Sequence, residues 1–259
     1  VIYPGVDIEK ILESTKGGHI INGETEGDKL FETDDKQGKR GAKANAPQGY
    51  FQCDDVTKGQ FLSPSEPFVS FQLGKERNSF GTFSHESTEE ENRKEYYISI
   101  GRCIPYKKFD LLVDTFNENG KNLVLVTNTD NTLYRTLREK SKPNIAWKLC
   151  ISQEEKNTLL AGARGFLFPP LEDFGLVPIE AMALGIPVIA YGKGGALETV
   201  IDGVTGVFFD EQTTKSLEIG IEKFETLHFD TQKIQNHAKE YDKTIFQRKI
   251  IDFIESNVQ

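Results

Sequence analysis

The sequence predicts an α/β domain built on a mostly parallel sheet with helices on both faces. Three observations predict it. Short apolar runs that read as strands buried on both faces recur at Tyr96–Ile100, Asn122–Thr127, Gly165–Phe168 and Pro187–Ala190. Segments with apolar residues at helical spacing lie between them, the first marked by Phe109, Leu112, Val113 and Phe116. Strands that alternate with helices in this way build a sheet through crossover connections, which makes the strands parallel.

Composition narrows the function. The chain has 259 residues, 37% hydrophobic and 27% charged, enough for one large or two small globular domains. A net charge of −9 argues against general nucleic-acid binding. No apolar run is long enough to span a bilayer, and the sequence shows no signal-peptide pattern. Cys53, Cys103 and Cys150 are odd in number, widely spaced and form no zinc pattern, so neither a metal site nor a disulfide framework is expected. A reducing, cytoplasmic location follows, with peripheral membrane association left open.

The chain divides into residues 1–22, 23–94 and 95–259. Val1–Asp7 reads as a strand ending in a turn, so the first part is an incoming strand and linker. The second part is a long polar insertion. Glu24–Ala46 is dense in alternating charge and nearly free of large apolar residues, which cannot offset the entropy of ordering. Tyr50–Leu73 carries enough aromatic residues for short strands packed on the domain, and Ser84–Lys94 is acidic and polar again. A tolerated surface insertion and a partner-docking arm both fit this composition.

The third part holds the predicted sheet. After Tyr96–Ile100 comes the loop Gly101-Arg-Cys-Ile-Pro-Tyr-Lys-Lys108. Asn128–Asn131 makes the turn after the second strand through its side chains. Leu133–Glu139 is a helix and Ile145–Trp147 a short strand, with Trp147 in the core. Ser152 and Glu155 form a capping box for a helix running to about Ala163. Val207–Phe209 is the last strand. Leu217, Ile221 and Phe224 mark one helix, and Ile234, His237 and Ala238 another. Phe246, Ile250 and Phe253 mark a terminal helix whose apolar stripe would lie exposed unless a partner covers it. His19, His85, His228 and His237 lie outside every motif and read as surface residues.

The chain is organised around Leu171–Gly206, LEDFGLVPIEAMALGIPVIAYGKGGALETVIDGVTG. Pro169 and Pro170 stop the preceding strand. Pro178 fits only a first helical turn, which puts a helix N-terminus near Gly175, and Gly185 ends that helix. Gly192-Lys-Gly-Gly195 then opens a second short helix at Ala196–Thr199. Two helix N-termini thus face one sheet edge, with free N–H groups suited to phosphate. Glu172 lies in the turn and Glu180 about one turn into the helix. Carboxylates at these two places suit the hydroxyls of a sugar and a ribose.

This Glu-x7-Glu arrangement, followed by Pro-Val-Ile-Ala and Gly-Gly-x-x-Glu198, resembles the donor-binding motif of retaining glycosyltransferases of family 4, which have the GT-B fold. The pattern DFG-x-VP-x-EAMA-x-G-x-PVIAYG-x-GGA-x-ETV is most similar to the mannosyltransferase-like branch. The resemblance covers Tyr96–Phe253 well and Val1–Asp7 weakly. It implies a Rossmann-like C-terminal donor domain, and a chain that opens at the interdomain linker without its N-terminal, acceptor-binding domain. It implies that Arg102 and Lys107 of Gly-Arg-x4-Lys grip the donor diphosphate, that Glu172 contacts the sugar, and that Glu180 takes the ribose. Backbone N–H groups near Phe174, Gly175 and Leu176, and at Gly194 and Gly195, would finish the cradle. The donor would be GDP-mannose or a UDP sugar, with no cofactor and no metal. The acceptor would be a saccharide, free or lipid-linked. Two features depart from the family: the turn at Asn128–Asn131 is not Gly-rich, and Lys148–Ile151, where the nucleobase would sit, lacks the usual pattern.

Another reading, from a different class, is a non-catalytic nucleotide-sugar-binding or scaffold subunit that works with a separate N-terminal glycosyltransferase half. A phosphorylase-like enzyme is disfavoured because no pyridoxal-lysine motif is present.

Overall fold

Six strands form one parallel sheet in the computed structural model, which describes residues 5–16 and 96–257. The elements in chain order are α1 (Ile8–Lys16), β1 (Tyr97–Ile100), α2 (Phe109–Asn119), β2 (Leu123–Thr127), α3 (Thr132–Lys140), β3 (Ile145–Leu149) and α4 (Gln153–Ala161). They continue with β4 (Gly165–Phe168), α5 (Leu176–Ala183), β5 (Val188–Tyr191), α6 (Ala196–Thr199), β6 (Gly206–Phe209), α7 (Thr214–Glu225), α8 (Thr231–Lys239) and α9 (Lys243–Asn257). The polar insertion at 23–94, Cys53, His19, His85 and the first four residues of the strand expected at Val1–Asp7 lie outside the described residues; of the rest, Val6 makes an isolated parallel bridge to Asp242.

The strand order is β3-β2-β1-β4-β5-β6, with every neighbouring pair parallel. The apolar runs explain it. β1, β2, β4 and β5 are buried along their whole length, as strands covered on both faces must be. β3 at one edge is only partly covered, with Ile145 buried and Ala146 and Leu149 exposed. Helices α2, α3 and α7 pack as one layer, and α1, α4, α5 and α8 as the other. Phe109, Phe116, Phe166, Leu112, Leu125 and Ile179 are among the largest side chains fully withdrawn from water, each worth about 1.5–3 kcal/mol of burial. The expected Rossmann-like α/β sheet is the observed one.

The order matters for function. The chain moves outward from β1 to β3, then crosses back to place β4 on the other side of β1, where Tyr97 is in register with both Leu123 and Gly165. The loops leaving β1 and β4 therefore run in opposite directions. A crevice opens between them at the carboxyl edge of the sheet, where such folds bind ligands.

The structure departs from the sequence reading in three places. Residues 8–16, read as linker, form a helix whose Ile8 and Ile11 are buried and which packs on α4 and α5. Just before it, the Val6 N–H donates to the Tyr241 carbonyl at 2.9 Å, and the Lys243 N–H donates back to Val6 at 3.0 Å. Cys150, expected to be unpaired, is disulfide-bonded, while Cys103 is free and buried. Cysteine usage therefore gives no argument for a reducing compartment. His237, read as a surface residue, has a side chain only 12% exposed. Its Nε2 lies 2.9 Å from the Thr199 carbonyl and its ring meets Tyr241 edge-on.

Candidate functional site at the carboxyl edge of the sheet

The first wall of the crevice is the loop Gly101–Lys108. Its backbone is held from the neighbouring strand. The Cys103 N–H donates to Thr127 Oγ1 at 3.1 Å, and Asn131 Nδ2 donates to the Cys103 carbonyl at 2.8 Å. Asn131 also caps α3 by accepting from the Tyr134 N–H at 2.8 Å. Side chains thus build the turn, as Asn128–Asn131 led one to expect. Burial, with Asp110 nearby, pushes the Cys103 thiol up to about 11, so it is an inert group inside the loop. Pro105–Lys107 forms one 3₁₀ turn, and Lys108, in the left-handed region at φ 58°, redirects the chain into α2.

Two of the loop's cations, Lys107 and Arg102, belong to the Gly-Arg-x4-Lys motif. The Lys107 stem lies over Gly101, where a Cβ would meet its Cδ at 3.5 Å. The Lys107 ammonium sits 5.3 Å from the centre of the Tyr106 ring and pairs with Glu172 across the crevice. The Arg102 side chain is exposed and has no hydrogen-bond or ion-pair partner among the described residues.

The second wall is the turn after β4 together with the start of α5. Gly175 adopts φ 86°, and a Cβ there would lie 2.6 Å from the Phe168 ring, so only glycine lets the turn settle on the strand end. Gly194 and Gly195 matter for a related reason. A Cβ on Gly195 would stand 2.3 Å from the Asp173 carbonyl oxygen, and one on Gly194 2.6 Å from that of Glu172. The glycine loop packs backbone to backbone on the Glu172–Phe174 turn. This corrects one expectation: the Gly195 N–H donates to the Glu172 carbonyl at 2.7 Å, so it holds the turn and is not a free donor. The N–H groups of Gly175, Leu176 and Val177 have no acceptor among the described residues. Those of the first helical turn are the orphan donors that a phosphate satisfies. Phe174 is half-buried and packs on Tyr241, whose hydroxyl donates to the Glu198 carbonyl at 2.7 Å.

The two carboxylates of Glu-x7-Glu each meet a lysine. Glu172 takes Lys107, with both side chains 18% exposed. Glu180 takes Lys156 of α4 at 2.7 Å, and there the lysine is only 5% exposed against 19% for the glutamate. Lys156 escaped the sequence reading because it belongs to no motif. The available signal was its place in the helix: α4 has a weak apolar stripe, and Lys156 falls where the stripe should continue. Of the expected capping box one half forms: Ser152 Oγ caps α4 by accepting from the Glu155 N–H at 3.1 Å, while the Glu155 carboxylate accepts from Lys148 Nζ at 3.3 Å. Trp147, partly buried, packs on the core against Tyr134 and Phe109 and donates to Ser141 Oγ at 2.9 Å. Beside the crevice, Pro105, Tyr106, Lys108, Leu171 and Gln212 line an open depression of about 340 Å³. Among the described residues no group of three or more His, Cys, Asp or Glu is placed to hold a metal.

Chemically, this edge combines one unpaired guanidinium, two lysine–carboxylate pairs and a run of open N–H groups. It suits a ligand with a doubly charged diphosphate and hydroxyl groups on either side.

Comparison with known proteins bears on this edge. The family model described as "Glycosyl transferases group 1" matches residues 82–244, well over half of the chain. The alpha-1,3/1,6-mannosyltransferase ALG2 of Dictyostelium discoideum is 32% identical over 44% of this chain and 33% of its own length. ALG2 of Kluyveromyces lactis is 47% identical over 43% of this chain and 30% of its own length. The chain thus spans about a third of these relatives. Among solved structures, Anabaena Alr3699/HepE in complex with UDP and glucose superposes with a TM-score of 0.55 at 20% identity, over 64% of this chain and 49% of that one. This last likeness is one of fold.

Proposed function

On the premise that this chain belongs to the group 1 glycosyl transferases, we propose that it is the C-terminal, donor-binding domain of a retaining family 4 enzyme. It takes a nucleotide diphosphate sugar as donor substrate and needs no metal and no cofactor. The observation that carries this reading is the contact between the two motifs: the Gly-Arg-x4-Lys loop meets Glu-x7-Glu through Lys107 and Glu172, at the point where strand order reverses.

In this reading Arg102 and Lys107 bind the diphosphate. They stabilise the charge that grows on the leaving nucleoside diphosphate as the glycosidic bond breaks. Arg102 forks onto phosphate oxygens, while Lys107 acts as a point charge. Glu172 accepts hydroxyls of the sugar, so an incoming donor inserts its sugar–phosphate junction beside the Lys107–Glu172 pair. Glu180 accepts ribose hydroxyls, and the N–H groups of Gly175–Val177 add donors to the phosphates. The mannosyltransferase relatives support mannose as the sugar; we propose GDP-mannose as the donor, with a UDP sugar as the competing choice.

The described residues supply one α/β unit and one wall of the reaction cleft. We therefore assign the acceptor, a saccharide or lipid-linked saccharide, to a second wall provided by another domain or by a separate N-terminal half. Positioning an acceptor can supply roughly 7–11 kcal/mol of the barrier in the best intramolecular cases. The purified chain is accordingly expected to hydrolyse donor slowly and to transfer nothing. The same single wall favours, as a second reading, a non-catalytic donor-binding subunit. No helix among the described residues is long and apolar enough to cross a membrane, and we propose a cytoplasmic, peripheral placement. The test is labelled nucleotide sugar offered with lipid-linked and soluble acceptors. Transfer that appears only when an N-terminal half is added supports the split. Robust transfer by the chain alone contradicts it, and no transfer under any pairing favours the non-catalytic subunit.

A further inference from the structure

Helix α4 buries three residues, Lys156, Asn157 and Leu160, and two of the three are polar. Asn157 has a structural use: its Nδ2 donates to Ser14 Oγ of α1 at 2.6 Å, and its Oδ1 accepts from Gln153 Nε2 at 3.0 Å. Lys156 is different. Its Nζ stands 2.7 Å from Glu180 Oε2, so it ties α4 to α5 through a residue of the donor motif. A nearly buried ammonium carries a large desolvation cost. For stability alone, an apolar side chain of similar volume is commonly as good or better at such a place. The pairing is also lopsided in exposure. Lys156 approaches from the protein side, and Glu180 keeps its second oxygen, Oε1, together with 19% of its side-chain surface.

We propose that Lys156 is a positioning residue for ligand recognition. It anchors one oxygen of Glu180 and fixes the carboxylate in one rotamer, so that the other oxygen can accept hydroxyls of a ribose. The inference rests on the nucleotide-sugar reading and adds to it a specificity element on a helix outside the donor motif. Discrimination between a ribose and a sugar lacking its 2′ and 3′ hydroxyls then depends on Lys156, although Lys156 does not touch the ligand. A carboxylate that loses its buried cation is free to change rotamer, and that takes the acceptor oxygen out of place.

The experiment measures dissociation constants of GDP and UDP, and of their 2′,3′-dideoxy counterparts, for the full chain. The variants are Lys156→Met, Lys156→Gln, Lys156→Arg, Glu180→Gln and the double change Lys156→Met with Glu180→Gln. Lys156→Met and Lys156→Gln should each weaken the ribonucleotide by about tenfold, the size of one lost charge-assisted hydrogen bond, and leave the dideoxy form unchanged. Lys156→Arg should keep most of the preference. In the Glu180→Gln background, Lys156→Met should cost nothing more. If Lys156→Met does not fold, Lys156→Gln carries the comparison. Equal weakening of the ribose and dideoxy forms, or full additivity in the double change, would make Lys156 a structural residue and overturn the inference alone. A wild-type chain that binds neither form overturns the nucleotide-sugar reading and the inference with it.

Discussion

The two ends of the sheet treat charge in opposite ways. At the amino ends, Glu225 of α7 accepts from the Tyr97 hydroxyl at 2.9 Å and from Lys121 Nζ on both oxygens at 2.9 Å, with Arg164 at 3.9 Å. Burial works to raise the Glu225 pKa, but the hydrogen bonds from Lys121 and Tyr97 outweigh it and hold the carboxyl below its ordinary value. Burial, and then Glu225 itself, pushes the Tyr97 hydroxyl far above its usual range. This cluster is complete without a ligand. At the carboxyl ends, each glutamate has a lysine partner, the Arg102 side chain has none among the described residues, and the N–H groups of Gly175–Val177 lack acceptors. The same residue types therefore serve a structural end that the chain saturates and a functional end that it leaves unfilled. What separates them is unused hydrogen-bonding capacity.

The comparison is broken most strongly by removing the two cations of the Gly-Arg-x4-Lys loop. Arg102→Ala combined with Lys107→Met should weaken nucleoside diphosphate binding by more than a hundredfold, roughly 3 kcal/mol or more. Arg102→Ala should contribute little to any change in thermal stability, because its side chain is exposed and holds no partner among the described residues, whereas Lys107→Met removes the partner of Glu172 and should lower the melting temperature modestly. Titration calorimetry and a melting curve on the same sample check both halves of the statement. Binding that survives within threefold would remove the diphosphate from this edge.

Gly195→Ala sharpens the boundary between fold and site. Its φ of −62° suits any residue, so the effect is purely one of space. A Cβ 2.3 Å from the Asp173 carbonyl forces the glycine loop off the Glu172 turn. The expected loss is about 1–3 kcal/mol in stability, together with weaker nucleotide binding, because the turn carrying Glu172 moves. A chain of unchanged stability and affinity would show that the two loops need not touch.

The smallest effect belongs to the saturated end. Glu225→Gln should cost about 1 kcal/mol of stability at neutral pH and leave nucleotide affinity untouched. The sign with pH follows from the lowered carboxyl. Its contribution is fully present above the ordinary value of 4.5 and is lost as pH falls through the lower folded value. Denaturation curves of wild type and variant should therefore converge in acid. A gap that widens in acid would contradict the assignment.

Much of this was legible in the sequence because it depends on local pattern. Apolar runs gave the four central strands, and Pro178 put the α5 N-terminus near Gly175, which is its N-cap. The Lys107–Glu172 contact joins motifs 65 positions apart. It was implied only by the resemblance, since spacing along the chain cannot show which loops share a crevice. Lys156 and the Gly195–Glu172 backbone bond were not legible. The first is a buried charge whose partner is on another helix. The second depends on two loops meeting, and a glycine needed for close approach looks the same in sequence as one needed for a free donor. Helix α1 was missed although Ile8 and Ile11 have helical spacing, because nine residues without a tertiary partner in view make a weak signal.

The central claim is that the carboxyl edge binds a nucleotide diphosphate sugar through its own cations. The most direct measurement is titration of the chain with GDP, UDP and their mannose and glucose conjugates, with and without a metal chelator. The account predicts saturable binding of at least one nucleotide and its conjugate, unchanged by the chelator. No binding of any of them at millimolar concentration would contradict the site, and binding that requires Mg²⁺ would contradict the role given to Arg102 and Lys107.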